Sequence, residues 1–150
     1  MEITYSEMRI FDFEEILALW QRCEGIGLSK ADERGPMELF LNQNQGLCHV
    51  ASMDGRIVGT VLCGCDGRRG YLYHLAVEAA ARRRGIGRAL VDLSLAELSR
   101  RGIQKCHLMV FASNLEGQAF WSRIGWIHRP EILPMSIDTV AASSSGSCPC

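Results

Sequence analysis

The feature that most constrains this chain is the run Arg82-Arg83-Arg84-Gly85-Ile86-Gly87-Arg88, set between an extended segment and a helical one. Before it, Tyr71 to Val77 is β-prone and largely apolar. After it, Ile86, Ala89, Leu90, Leu93 and Ala96 recur at helical spacing and predict one buried side of a helix from Gly85 to about Arg101. Gly102 stands where a glycine that ends a helix belongs. Such a strand-to-helix junction makes an anion cradle. First-turn N–H groups have no intrahelical partner, and the helix dipole places partial positive charge there. Gly85 and Gly87 allow close backbone approach, and four arginines add charge and forked donors. A P-loop would need Gly-x-x-x-x-Gly-Lys-Ser/Thr, which is absent, and a dinucleotide fingerprint would need a third glycine where Leu90 stands. Taken alone, the run reads equally well as a solvated arginine-rich turn.

The rest of the chain supplies what surrounds the junction. Ile3 to about Met8 is an expected edge strand. Asp12 to Cys23 reads as a helix, with Asp12 as its cap, Glu15 completing a capping box, and Phe13, Ile16, Leu17, Trp20 and Cys23 as its buried stripe. Gly25 to Gly35 is a polar, glycine-punctuated loop, and Pro36 opens a short helix through Asn44. That loop and helix are the expected mouth for a substrate. Leu47 to Met53, Asp54-Gly55 and Arg56 to Cys63 carry a strong hairpin signal. Asp66-Gly67-Arg68-Arg69-Gly70 forms a second turn. Cys106 to Phe111 is a near-continuous apolar strand, as expected when both faces are covered. Asn114 to Ile124 reads as a helix ended by Gly125, and Trp126 to Arg129 and Ile132 to Ile137 as final strands broken by Pro130 and Pro134. The order β-α-α-β-β-β-α-β-α-β, with one crossover in the middle, predicts an α/β or α+β fold on a mixed sheet. One domain is expected over 1–140, followed by a Ser/Gly/Cys-rich tail over 141–150 that is expected to be disordered.

Composition excludes several partners. Lys+Arg 16 against Asp+Glu 17 leaves a net charge of -1, so no excess of positive charge favours nucleic acid. No stretch approaches the ~20 apolar residues of a membrane helix, so no membrane partner is expected. The start, Met1 to Tyr5, lacks the basic-then-apolar pattern of an export signal. Seven cysteines are an odd number that closed disulfides cannot use up, which points to reduced thiols in a cytoplasm. Cys63-x-Cys65 and Cys148-x-Cys150 fall outside usual zinc spacings and read as core thiols plus tail, so no metal is expected.

From Arg82-x-x-Gly85-x-Gly87 to Asn114-x-x-Gly117-x-x-Phe120-Trp121-x-x-x-Gly125-Trp126, the chain resembles the GNAT superfamily of acetyl-CoA-dependent N-acetyltransferases, over about residues 3–138. The Asp66-Gly67-x-Arg69-Gly70 turn and Asp12-Phe13-Glu14-Glu15 are similar to its YpeA-like branch. The resemblance implies a mostly antiparallel, twisted sheet with one splayed strand pair, flanked by helices. It implies a pantetheine arm along Leu75, Ala76 and Val77, and a pyrophosphate held by Arg82, Arg83, Arg84, Gly85, Ile86, Gly87 and Arg88. Asn114 would touch the pantetheine region and Trp121 would pack near the cofactor. The implied reaction moves an acetyl group from acetyl-CoA, the acyl-donor cosubstrate, to an amine of a small molecule or protein by direct attack in a ternary complex. No metal takes part.

The sequence departs from the family pattern where proton transfer is concerned. Trp121 stands where many members have a tyrosine, and an indole N–H cannot deliver a proton, so packing is the better reading. Met109 and Phe111 replace a glutamate and an arginine common in enzymes that act on ribosomal-protein N-termini, which argues against peptide N-termini as substrates. His74, Asp66 and Glu24 are the candidate bases. His74 has a suitable intrinsic pKa, yet strict alternation puts it on the face opposite Tyr73 and Leu75, where it is equally a structural histidine. Asp66 equally serves to fasten its turn. The alternative function is a catalytically weak CoA-binding sensor or scaffold, and a C-terminal edge strand would offer a homodimer contact.

Overall fold

Five strands lie in chain order across one sheet: β1 (Ile3–Glu7), β2 (His49–Met53), β3 (Arg56–Cys65), β4 (Gly70–Val77) and β5 (Cys106–Leu108). The computed structural model describes residues 2–140, so the tail over 141–150 lies outside the described residues. β1 to β4 pair antiparallel, and β5 pairs parallel to β4. A parallel pair needs a crossover, and α3 (Ile86–Arg100) provides it. α1 (Phe13–Arg22) and α2 (Arg34–Gln43) precede β2, and α4 (Leu115–Arg123) follows β5. The mixed sheet flanked by helices is the expected class.

The sheet separates two apolar layers. Ile16, Leu19 and Trp20 of α1 pack with Val50, Ile57 and Leu62. Ile86, Leu90, Val91 and Leu98 of α3 pack with Val58, Val61 and Leu72. β3 is therefore buried on both faces, which explains its near-continuous apolar run. The β2–β3 turn has Asp54 at φ 52 and Gly55 at φ 75, the left-handed pair a two-residue hairpin requires. α3 ends at Gly102, where Gly102 N–H bonds Ser99 O and Ile103 N–H bonds Leu98 O.

Several expectations are corrected. Asp12 makes no side-chain cap; it closes a 3-10 turn over Ile10–Asp12, its N–H bonded to Arg9 O. Glu15 instead accepts from Ile57 N–H at 2.7 Å, joining α1 to the start of β3. Leu19 of α1 is buried, while Leu17 and Cys23, which follows the helix, are only partly so. α2 begins at Arg34, so Pro36 sits in its first turn, where a missing N–H costs nothing. The buried row of α3 runs through Ile86, Leu90, Val91, Ser94 and Leu98, leaving Leu93 and Ala96 exposed. Ser94 can occupy that row because its hydroxyl donates to Leu47 O at 2.8 Å. β5 stops at Leu108, three residues short of the expected end. The two final strands do not form among the described residues. Pro130 and Pro134 remove ladder donors there, and Ile127, Leu133, Met135 and Ile137 are each at least 80% exposed. The expected C-terminal homodimer strand is therefore missing from the described residues.

Candidate active site

β4 and β5 hold together through Gly70↔Cys106, Tyr71↔His107 and Leu72↔Leu108, and then part. β4 runs on to Val77, while residues 109–112 leave the sheet. The wedge between them opens into a cavity of about 800 Å³. Its wall combines the loop and α2 side (Ile26, Met37, Phe40) with Tyr73, His74 and Leu75 of β4 and the chain from Leu108 to Ala112. Most of that wall is apolar. Among the described residues its titratable side chains are Asp32, Tyr73 and His74.

A bulge shapes the β4 side. Leu62 pairs with Tyr73 and Thr60 with Ala76, so Val61 alone faces both His74 and Leu75. His74 takes φ +47 to absorb the extra residue. Strict alternation fails there: Tyr73 meets Phe40 and His74 meets Trp20 on the α1 and α2 side, which overturns the expected opposition of His74 and Tyr73, while Leu75 packs with the α3 layer; all three line the cavity. Its Nε2 lies 2.8 Å from Oδ1 of Asp32, with the two side chains only 12% and 9% exposed. The other Asp32 oxygen accepts from Ser29 N–H at 2.9 Å, closing a capping box over Ser29 to Asp32. The Trp20 indole meets the His74 ring edge-on, with centroids 4.8 Å apart. Asp32 escaped sequence reasoning, although Ser29-x-x-Asp32 is itself a capping signature within the loop.

At the far end of β4, Arg83 (φ 65) and Gly85 (φ 76) both take left-handed conformations. Gly85 opens α3 with no side-chain cap, so the first-turn N–H groups are not closed off by a side chain. Arg82, Arg83, Arg84 and Arg88 are exposed around them. Arg82 Nε donates to Val77 O at 3.1 Å, so that carbonyl is already engaged and the loop is tied to β4. Arg88 stands 3.9 Å from Asp92. Gly87 also serves packing, since a Cβ there would lie 3.2 Å from the Phe120 ring. Ile86 points into the core beneath the loop.

The remaining candidates divide. Asn114 lines the cavity, but its Oδ1 accepts from Gly117 N–H at 2.9 Å and caps α4. A Cβ at Gly117 would sit 2.5 Å from Asn114 Nδ2, which accounts for that Asn-x-x-Gly spacing. Trp121 lines the cavity too, packed edge-on against Phe120 and Trp126. Met109, 62% exposed, and Phe111 stand on the cavity wall. Asp66 and Glu24 are not in the wall. Asp66 accepts from the N–H groups of Arg68 and Arg69, both at 2.8 Å, and these bonds hold its carboxyl below the usual range. Glu24 is exposed. The described residues contain no His/Cys/Asp/Glu cluster suited to a metal, and no helix long and apolar enough to cross a membrane.

Comparison with known proteins agrees with this geometry. Residues 13–126 match the model of the Acetyltransferase (GNAT) family. An acetyltransferase of Pectobacterium atrosepticum is 41% identical over 111 residues, covering 72% of this chain and 78% of that protein. The fold matches the PaiA N-acetyltransferase of Thermoplasma acidophilum in complex with coenzyme A, at TM-score 0.73 and 18% identity over 82% of this chain and 88% of that one. It also matches the ribosomal-protein-S18-alanine N-acetyltransferase of Escherichia coli, at TM-score 0.66 and 25% identity over 83% and 77% of the two chains.

Proposed function

The chain belongs to the GNAT acetyltransferase family and is an N-acetyltransferase, and from that premise we propose that it transfers acetyl from acetyl-CoA to a primary amine carried on an apolar body. The observation that carries this reading is the parting of β4 from β5 beyond Leu72 and Leu108, with the arginine loop at the other end of β4. An extended arm fits that wedge as an added strand beside Leu75 to Val77. The first-turn N–H groups of α3 and the exposed guanidinium groups fit a pyrophosphate. When bound, acetyl-CoA supplies the thioester. The protein's own residues position it, exclude water with an apolar wall, and manage the amine's proton.

The acceptor side is argued from the same cavity. Ile26, Met37, Phe40 and Phe111 favour an apolar body, and Asp32 is the wall's carboxylate, suited to attract an ammonium. The absence of a carboxylate at Met109 supports a small amine over a peptide N-terminus. Cys23, Cys48, Cys63, Cys65 and Cys106 are free thiols, which supports a reducing, cytoplasmic setting. The Asp66-Gly67-x-Arg69-Gly70 turn and the Asp12-Phe13-Glu14-Glu15 pattern, both similar to the YpeA-like branch, support a place near it. The experiment is release of CoA thiol by the purified protein with phenethylamine, spermidine and a lysine peptide. The reading expects phenethylamine to be preferred, and no release with any of them counts against it.

A further inference from the structure

We propose that Asp32 and His74 form the proton-accepting half of this site, with Nδ1 of His74 as the base that frees the attacking amine. The proposal rests on the acetyl-transfer reading above. Transfer needs a neutral amine, and a bound amine arrives as an ammonium. Of the wall's titratable side chains, Tyr73, Asp32 and His74, the imidazole is the one that offers a neutral nitrogen lone pair to take a proton.

The geometry assigns the tautomer. With Oδ1 of Asp32 2.8 Å from Nε2, the carboxylate accepts the Nε2 proton, so Nδ1 carries the lone pair. The same carboxylate stabilises the imidazolium formed once Nδ1 takes a proton. The Trp20 indole from α1 meets its ring, and the Thr60 hydroxyl from β3 donates to its carbonyl at 3.1 Å, both neutral groups. Tyr73 precedes it on β4. Asp32 and Trp20 hold the ring, and Thr60 holds the backbone beneath it. The bulge that aims it at the cavity keeps a non-glycine residue at φ +47, and such strain persists where the surroundings over-determine it. The next residues, Leu75 to Val77, are those proposed to run beside the pantetheine arm.

The step balances as follows. Nδ1 takes one proton from the ammonium and passes it to solvent. The amine lone pair attacks the thioester carbon, the C–N bond forms, and the C–S bond breaks with its electron pair leaving on sulfur. The second proton lost by the nitrogen ends on that sulfur, giving amide and free thiol.

The test uses His74→Asn and Asp32→Asn with acetyl-CoA and phenethylamine, following kcat/KM against pH and CoA affinity by calorimetry. Asparagine suits a positive φ and has no basic nitrogen. His74→Asn is expected to lower kcat/KM by about 10²–10⁴-fold and to abolish the limb on which the rate rises as His74 loses its proton. Asp32, a positioning residue, is expected to cost about 10–100-fold in its Asn variant and to displace that limb. CoA affinity stays at the wild-type level in both. A His74→Asn protein that binds CoA and keeps the wild-type rate and limb overturns the base. If that variant fails to fold, an unshifted limb in Asp32→Asn overturns it instead. A wild-type protein that binds no CoA removes the transfer reading itself, and the base with it.

Discussion

The indole N–H of Trp20 donates to the Thr60 hydroxyl at 2.8 Å, and that hydroxyl donates in turn to the His74 carbonyl at 3.1 Å. Both Trp20 and Thr60 are almost wholly buried. The chain of bonds fastens α1, β3 and the bulge of β4 to one another. Thr60→Val keeps the shape of the side chain but leaves the indole N–H without its acceptor. The expected cost is about 1–3 kcal/mol, since a buried donor loses water and gains nothing. Thermal melting of the variant checks this, at about 2–4 °C per kcal/mol for a chain of this size. An unchanged Tm would show that the buried bond carries no net stability.

The arginine loop gives a second expectation. Arg84 is exposed beside Gly85, so Arg84→Ala should weaken CoA binding about tenfold at low salt, the scale of one charge-assisted hydrogen bond. The gap should narrow as salt is added, because exposed charges are screened. Gly87→Glu should abolish binding, since it adds like charge to the cradle and bulk 3.2 Å from the Phe120 ring. Calorimetry at two ionic strengths separates these outcomes; a salt-independent loss for Arg84→Ala would place its effect elsewhere.

The buried thiols should react in a definite order. Burial pushes Cys48 up to about 12, and Cys63 is raised by its hydrogen bond to Cys106 and by burial. The same contact holds Cys106 below the usual thiol range. Only thiolate is alkylated, so iodoacetamide at mildly alkaline pH should label Cys106 well before Cys48 or Cys63 in the folded protein. Peptide mass mapping over time reads the order directly, and equal labelling of Cys48 and Cys106 would contradict it.

Acid sensitivity should trace in part to Glu97. Hydrogen bonds from Arg100 and Arg101 hold its carboxyl down from 4.5 to about 2. A depressed folded-state value means the contribution is fully present above about 4.5 and is lost as pH falls toward about 2. Glu97→Gln should therefore lower Tm slightly at neutral pH, flatten its fall across that window, and match the parent near the acid end. Because the pair is exposed, high salt should erase the difference between variant and parent.

Much of the fold was legible in short stretches. Asp54-Gly55, Gly85 and Gly102 mark conformations with positive φ that few other residues tolerate, and each turn or helix end stands where its glycine does. The left-handed turn of the arginine loop was legible for the same reason. Longer-range features were not. Glu15 satisfied a local capping pattern yet bonds Ile57, 42 residues away. The buried row of α3 passes through Ser94, which only the Leu47 carbonyl makes acceptable there. Apolar residues at 109–111 looked like strand and became cavity wall, because β4 and β5 twist apart.

The amino-acid sequence by itself determined the order of elements as far as α4, the hairpin and the family motifs, since each depends on residues within a few positions of one another. The tertiary structure alone decided that His74 faces the cavity and meets Asp32. That outcome depends on how β3 and β4 pair: one extra residue between Tyr73 and Ala76 turns the side chain, and the pairing partners lie too far along the chain for any local pattern to record it.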